Sequence, residues 1–483
     1  MKRILCAVCC ALLLGGCSMI KENNAPVPPV KGEAGGTKAA EAGPGKAKVP
    51  LYFLDGSEDR LAAEPRTIAL EEEKDPAAAA MEALIGGPEQ ASGLRAVAPS
   101  GISLDRVETS DKLASVYLRT QGDLPSDQER FLFEAAAADT LTDFLSVSFV
   151  SVFWNGVSAG RFDEPAGPLS KYTGNMTDAY SKAESDAILM STEGARESRT
   201  VLYYPSADGL FLLPEVQNVV CTGDDYAKAV IDELKKAPGR QGGKIGVLDK
   251  DTQLVSAQLA KETGGNVLTL NFSGLSQPAS FGDTESEILS YAAIVYSLTG
   301  FIIGVDRVRI FSDGEEVKGL AGFRDFPEGM ARADFAPLLG KSVHIYLMYK
   351  NSSLLTGVSR TIAQSDQQNA KNRLIELIKG PNDRDADTAW PVIPAGIGPE
   401  DILGVSAAGD TVTLDLSKNF QARCKGLSEE SETLLVYGIV NTLSEVYGIR
   451  KVQFLIEGKS VSELAGHLYM QSPFLKNPGL IKS

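Results

Sequence analysis

The stretch Ile345-Tyr346-Leu347, then Leu377-Ile378-Lys379-Gly380-Pro381, then Thr442-Leu443-Ser444, recurs twice upstream in the same order. Its first part reappears as Leu51-Tyr52-Phe53 and Leu202-Tyr203-Tyr204. About 35 residues after each tyrosine, a helical pattern ends in Leu, three residues, then Pro; the other two ends are Leu84-Ile85-Gly86-Gly87-Pro88 and Leu234-Lys235-Lys236-Ala237-Pro238. The small-polar, Leu, small-polar trio recurs as Thr140-Leu141-Thr142 and Ser297-Leu298-Thr299. So many equivalences at matched spacing define three copies of one unit.

Working outward from these anchors fills in each unit. Units one and three share the turns Pro99-Ser100-Gly101-Ile102 and Pro394-Ala395-Gly396-Ile397, while unit two has a different stretch near Lys244. Alternating strands follow, among them Val267-Leu268-Thr269-Leu270-Asn271-Phe272 and Val412-Thr413-Leu414-Asp415-Leu416. Alternation of period two marks strands with one buried face. Ser126, Thr284 and Ser428 are candidate N-caps of the long second helix, and Glu129 and Glu287 complete capping boxes that Ser431 does not. The last strand of each unit (Val150–Phe153, Val308–Phe311, Val452–Ile456) runs into a turn glycine: Gly156, Gly314 or Gly458.

The order strand, with or without a second strand, then helix, two strands, long helix and strand predicts an α/β (α+β) fold. Three tandem two-layer sandwiches are expected, each a small mixed sheet with two helices on one face. Expected boundaries are a signal peptide at 1–16, lipidated Cys17 and spacer at 17–48, and domain 1 at 49–160. A linker at 161–198, domain 2 at 199–323, a linker at 324–341, domain 3 at 342–467 and a tail at 468–483 complete the chain. The long polar segment Arg161–Ser198 predicts a first domain that moves relative to the second. Phe326, Phe335, Leu338 and Leu339 predict that the last two domains dock, and the tail with Pro473, Pro478 and Gly479 is expected to lack structure.

Composition narrows the function. The 483 residues carry 43% hydrophobic and 23% charged side chains, enough for folded cores. Sixty-three acidic against 47 basic residues give a net charge of −16, which argues against a nucleic-acid partner. Two histidines and six cysteines leave few side chains suited to catalysis or transition metals.

Lys2 and Arg3 precede an apolar run from Ile4 to Leu14, too short for a permanent membrane span, which takes about 20 residues. Leu14-Gly15-Gly16-Cys17 closes it and resembles the bacterial lipoprotein box. That resemblance implies a mature chain beginning at a diacylglyceryl, N-acylated (palmitate-bearing) Cys17. Two or more acyl chains hold a protein at the membrane where one does so marginally. The Ala-, Gly-, Pro- and Lys-rich tract from Lys21 to Lys48 reads as a spacer. Cys6, Cys9 and Cys10 lie in the apolar run, and Cys221 and Cys424 read as buried idle thiols rather than a disulfide or zinc site.

The repeated unit resembles the GerMN domain of sporulation and spore-germination lipoproteins from endospore-forming bacteria. The match is fullest in unit three: Tyr346, Leu377 to Pro381, Pro394 to Gly396, Thr442 to Ser444, and Glu457-Gly458-Lys459-Ser460-Val461. Members commonly carry two such domains behind a lipoprotein box, so three is a departure. The resemblance implies no known catalysis. It implies a part in the envelope apparatus between mother cell and forespore.

His344 and His467 have no counterparts in the other units and no nucleophile at a recognisable offset. The hydroxyl trios could bind a ligand, but packing of helix against sheet is the preferred reading, with hydroxyls bonding back to the preceding turn. The recurrent tyrosines read as core residues with the hydroxyl at an edge. Glu71-Glu72-Glu73 and Asp383–Asp387 lack the ligand spacing of a calcium loop, and Gly239–Gly243 lacks the ending of a phosphate loop. No catalytic, cofactor or metal residue is assigned; the one site residue is Cys17, for lipidation.

The sequence thus predicts a non-enzymatic, lipid-anchored extracytoplasmic scaffold or assembly factor in sporulation or spore germination. Its expected partners are the membrane, through Cys17, and envelope proteins, with self-association a further expectation. The alternative is a module that binds cell-wall glycan or peptide, or an accessory regulator of an envelope sensor.

Overall fold

In the computed structural model, residues 46–482 are described except 57–58, 70–74, 91, 146, 163, 191–193, 207, 237–246, 276–283, 321, 365–369 and 447. The first repeat runs β1 (Lys46–Asp55), β2 (Arg60–Ala69), α1 (Pro76–Ile85), β3 (Ile102–Ser110), β4 (Leu113–Thr120), α2 (Asp127–Phe144), β5 (Phe149–Trp154) and β6 (Val157–Ser158). Helix α3 (Met176–Met190) follows. The second runs β7 (Ala195–Pro205), β8 (Leu212–Thr222), α4 (Tyr226–Leu234), β9 (Gln253–Glu262), β10 (Gly265–Ser273), α5 (Thr284–Phe301) and β11 (Arg307–Ser312). Short strands β12 (Glu315–Glu316), β13 (Gly319–Leu320) and β14 (Arg324–Asp325) and a 3-10 segment, Arg332–Leu338, close it.

The third repeat runs β15 (Gly340–Tyr349), β16 (Leu355–Ala363), α6 (Ala370–Lys379), β17 (Ala389–Trp390), β18 (Ile402–Ala408) and β19 (Thr411–Leu416). After these come α7 (Lys418–Cys424), α8 (Glu429–Leu443), β20 (Lys451–Ile456) and β21 (Phe474–Leu475). All three repeats therefore share the trace ββαββαβ. The chain is an α+β protein of three tandem units, each with its own apolar core.

Hydrogen bonding divides the strands of every repeat into two sheets rather than one. The opening hairpin is antiparallel: β1 with β2, β7 with β8, β15 with β16. The recurrent tyrosines face small or cyclic residues across it, Tyr52 opposite Ala63, Tyr203 opposite Pro214 and Tyr346 opposite Gly357. The second sheet is mixed. Its middle strand pairs antiparallel with the one before it and parallel with the one after the long helix: β4 with β5, β10 with β11, β19 with β20. The long helix is the crossover that parallel pairing requires.

Local chemistry explains the joints. Ser126 caps α2 in a complete capping box with Glu129, and Ser428 caps α8 through the Ser431 N–H without one. The Thr284 cap lies outside the described residues. Gly87 and Gly380 after the first helices have φ of 84° and 73°, the left-handed conformation that ends a helix before proline. Asn155-Gly156, Asp313-Gly314 and Glu457-Gly458 all have positive φ at both residues, and the first two join hairpin strands directly. The expected glycine turn is thus a tight two-residue reversal.

Two expectations about the connections are corrected. The segment after β6 belongs to the first repeat: Leu169 pairs with Val150, and Leu169, Tyr172, Met176 and Tyr180 pack on its core. Phe131 on α2 meets the edges of Tyr172 and Tyr180, so apolar burial orders a stretch whose polar composition suggested a free linker. The tail is likewise ordered, with Phe474 pairing with Val452 and Lys482 N–H bonding to the Leu355 carbonyl.

The first repeat is also docked on the second. Leu113 and Phe149 join the core of repeat two, and Gly304 N–H donates to the Ser158 carbonyl at 2.8 Å. The third repeat touches both. Gly340 begins β15 at a point where a Cβ would lie 2.6 Å from Phe211 and 2.8 Å from Thr361. Its carbonyl accepts the Ser110 hydroxyl, and Asp111 accepts Ser342 N–H at 2.9 Å. Residues Ala42–Ser483 accordingly form one compact unit.

Candidate functional site

The recurrent tyrosine and the recurrent hydroxyl trio, far apart in sequence, meet. Tyr52 N–H donates to Thr140 Oγ1 at 3.1 Å, Tyr203 N–H to Ser297 Oγ at 3.0 Å, and Tyr346 N–H to Thr442 Oγ1 at 3.0 Å. The first hydroxyl of each trio therefore ties the long helix to the opening strand. The third hydroxyl bonds back along the helix in two repeats, Thr142 to Ala138 and Thr299 to Val295. In the third, the buried Ser444 hydroxyl has no such partner among the described residues. Packing of helix on strand accounts for these residues.

Beside this joint lies a polar corner that sequence reading missed. Three residues after the first hydroxyl, Asp143 accepts the Tyr52 hydroxyl and Glu445 accepts the Tyr346 hydroxyl at 2.8 Å. A cation completes each corner. Lys171 reaches both Asp143 oxygens at 2.6 Å, and Lys476 pairs with Glu445. Both lysines also lie over the tyrosine rings, at 5.4 Å and 5.8 Å.

The cation has an equivalent place in all three repeats. The strand after the long helix is bridged by a returning segment, Val150 by Leu169, Val308 by Met330 and Val452 by Phe474. Two residues further stand Lys171, Arg332 and Lys476. A shared signal exists only in hindsight: an acid follows the trio in units one and three, and the cations lie in stretches read as linkers and tail.

In repeat two the corner is closed, and its chemistry shows how. Gly300 replaces the acid, and a Cβ there would lie 3.2 Å from Arg332 Nη1. The guanidinium takes that space, donating to the Tyr296 carbonyl at 2.7 Å, to Thr299 Oγ1 at 3.3 Å and to the Tyr203 hydroxyl at 3.3 Å. Its Nε donates at 3.2 Å to the hydroxyl of Tyr117, which belongs to repeat one and in turn donates to Glu108. Phe153 and Tyr296 flank it at 4.8 Å and 4.1 Å from ring centre to guanidinium carbon. Burial opposes the charge of Arg332, and the surrounding tyrosines more than offset that, so it stays protonated.

The surface of repeat one held there is the outer face of its mixed sheet. In β4, Ala114, Val116 and Leu118 face their own core, while Leu113, Ser115 and Tyr117 are buried against repeat two. The matching positions of β19 are Thr411, Thr413 and Asp415, and all are half-exposed. The same surface is covered in one repeat and open in another.

Titration in the open corners follows from these contacts. Burial pushes the Asp143 carboxyl up, but bonds from Lys171 and Tyr52 outweigh it and hold the group low. Glu445 behaves alike under Lys476 and Tyr346. Asp139, buried just before Thr140, is raised to about 6, chiefly by desolvation, with the Tyr172 N–H bond opposing. Asn441 stands in its place in repeat three and accepts Asn477 N–H at 2.9 Å.

The remaining sequence candidates are not brought together. His344 lies on β15, near enough to Glu445 to help hold that carboxyl low, and His467 contacts the Leu427 carbonyl just before the third repeat's long helix. Asp385 pairs with Arg360 and accepts Asn382 N–H, a structural role for the acidic stretch 383–387. Cys221 and Cys424 are free and buried; desolvation raises the first and pushes the second up to about 12, so neither is poised as a thiolate. Cys17, Glu71-Glu72-Glu73, Gly239–Gly243 and Lys244 lie outside the described residues. Among the described residues no cluster of three or more His, Cys, Asp or Glu could hold a metal, and no helix is long and apolar enough to cross a membrane.

Fold and corner together define a class: tandem small α/β modules whose shared polar corner serves domain contact where its use is visible. The family described as Germane, sporulation and spore germination, matches residues 50–159, 201–318 and 345–462. The chain belongs to that family, which is not a known enzyme family. Among solved structures it is similar to the tandem GerMN domains of the sporulation protein GerM from Bacillus subtilis. Identity is 17% over 58% of this chain and 98% of that one, with a TM-score of 0.23. A putative lipoprotein from Clostridium perfringens aligns at 19% identity over 29% of this chain and 87% of that one, TM-score 0.21. The first GerMN domain of the Bacillus protein aligns at 17% over 28% and 98%, TM-score 0.22. No curated protein sequence matches the chain.

Proposed function

We propose that this protein is a lipid-anchored, extracytoplasmic scaffold or assembly factor that works through protein–protein contact during sporulation or spore germination, without catalysis. The observation that carries the reading is the docking of one repeat on the next. The corner around Arg332 takes a sheet face of repeat one by hydrogen bonds and ring contacts, and the equivalent corners around Lys171 and Lys476 are open to solvent. A surface already used for domain contact in one copy is suited to partners in the others. The Leu14-Gly15-Gly16-Cys17 box supports anchoring, which raises the effective concentration of such contacts at the membrane.

In vivo crosslinking in sporulating cells, comparing wild type with Cys17→Ala, tests this. The wild type should crosslink to envelope proteins from the membrane fraction, and the variant should leave that fraction and lose those partners. Saturable binding to purified peptidoglycan, or turnover of a substrate by the isolated chain, would contradict the reading.

A further inference from the structure

The contact between repeats one and two indicates what would cover the open corner of repeat three. Aligning the parallel pairs β4–β5 and β19–β20 places Asp415 where Tyr117 stands and Leu455 where Phe153 stands. The bridged segments place Lys476 where Arg332 stands. Arg332 donating to Tyr117 thus has a charged counterpart, Lys476 opposite Asp415, whose two members both lie on repeat three and face away from its core. One copy cannot satisfy both.

We infer that the outer sheet face of repeat three, centred on Asp415, docks on the Tyr346–Glu445–Lys476 corner of repeat three in a second copy of this chain. This rests on the scaffold reading above and names its partner. Charge chooses the face. The outer face of repeat two has the uncharged Asn271 at the position of Tyr117, and its neighbours Arg307 and Arg309 already pair with Glu328, Glu262 and Glu316, so it offers a lysine no free carboxylate there. Repeat three offers a carboxylate whose Oδ1 accepts Gly458 N–H and whose Oδ2 is open among the described residues.

Free donors choose the corner. Lys171 is held by both Asp143 oxygens and the Tyr52 hydroxyl, whereas among the described residues Lys476 bonds Glu445 alone and keeps donors to spare. Each surface also carries an exposed leucine, Leu403 at 51% on the β18 side and Leu475 at 60% beside Lys476. Exposed apolar side chains flanking a charge are what a docked partner buries. The two patches differ, so the contact is head-to-tail and leaves a free patch at each end.

Sedimentation velocity of the full chain in detergent, over a concentration series, tests the inference. Wild type should form species that grow with concentration. Lys476→Glu and Asp415→Lys should each weaken association by about tenfold or more, and the double swap should recover to within about threefold, as a direct ion pair requires. Thr413→Arg, on the same face but clear of the Gly458 turn, should weaken it too, which covers any misfolding of Asp415→Lys. Lys182→Glu, exposed on α3 and outside both corners, should leave association unchanged. A wild-type monomer throughout, no recovery in the double swap, or loss of association in Lys182→Glu would each overturn the inference. Should the chain stay monomeric yet still crosslink to envelope proteins in cells, only the self-contact fails and the broader reading stands.

Discussion

The backbone N–H of Tyr346 donates to the Thr442 hydroxyl at 3.0 Å, joining the opening strand of the third repeat to its long helix across 96 residues. Both groups are buried, so nothing else supplies the acceptor. Thr442→Val keeps the shape and removes the oxygen, and it should cost about 1–3 kcal/mol by leaving a buried N–H unpaired. Thr442→Ser should cost much less. Urea unfolding of the three proteins decides it, and equal losses for valine and serine would show that the methyl rather than the hydroxyl matters.

Arg332 is the only charged side chain that bonds the tyrosines of repeat one and repeat two together among the described contacts. Arg332→Met fills much of the same volume without donors and should lower stability by about 2–4 kcal/mol, because the ring hydroxyls and the Tyr296 carbonyl lose a buried partner. Release of repeat one from repeat two should then make the stretch from Arg161 to Ala195 cleave faster in limited proteolysis. Unchanged cleavage alongside lowered stability would locate the loss inside repeat two instead.

Much of this fold was legible because its signals are local. Turn glycines, helix caps and alternating strands each state a backbone requirement within a few residues, and tripling them exposed the repeat. The corner was less legible because its members depend on chain return. Lys171 and Lys476 sit in polar, proline-containing stretches where composition suggests linker, and only pairing of Leu169 and Phe474 with a strand brings them to the tyrosines. The covered face of β4 did leave a trace: Leu113 and Tyr117 occupy positions that are Thr411 and Asp415 in β19. A strand that is apolar on both sides is covered on both sides.

Gly340 predicts a steric outcome. Its backbone is extended, so alanine meets no conformational strain, yet the added Cβ would press on Phe211 and Thr361, which come from different repeats. Gly340→Ala should cost about 1–3 kcal/mol through overpacking and should loosen all three repeats at once. Gly357→Ala, where the nearest atom lies 3.4 Å away, should be milder. Hydrogen exchange that slows at Ser342 N–H in Gly340→Ala, instead of speeding up, would refute the account.

Asp139 links stability to pH. Desolvation raises its carboxyl to about 6, above the unfolded value near 3.8, so the protonated group is the one the fold favours. Its stabilising contribution is complete below about pH 4 and is lost as pH rises through about 6, the reverse of a salt-bridged aspartate. Asp139→Asn keeps an oxygen for the Tyr172 N–H, as Asn441 does for Asn477, and removes the buried charge. The variant should therefore gain about 1–2 kcal/mol at pH 7 and almost nothing at pH 4. Unfolding curves at both pH values measure the difference directly. A gain of equal size at pH 4 would mean that the amide makes a new bond and that the carboxylate was never the cost.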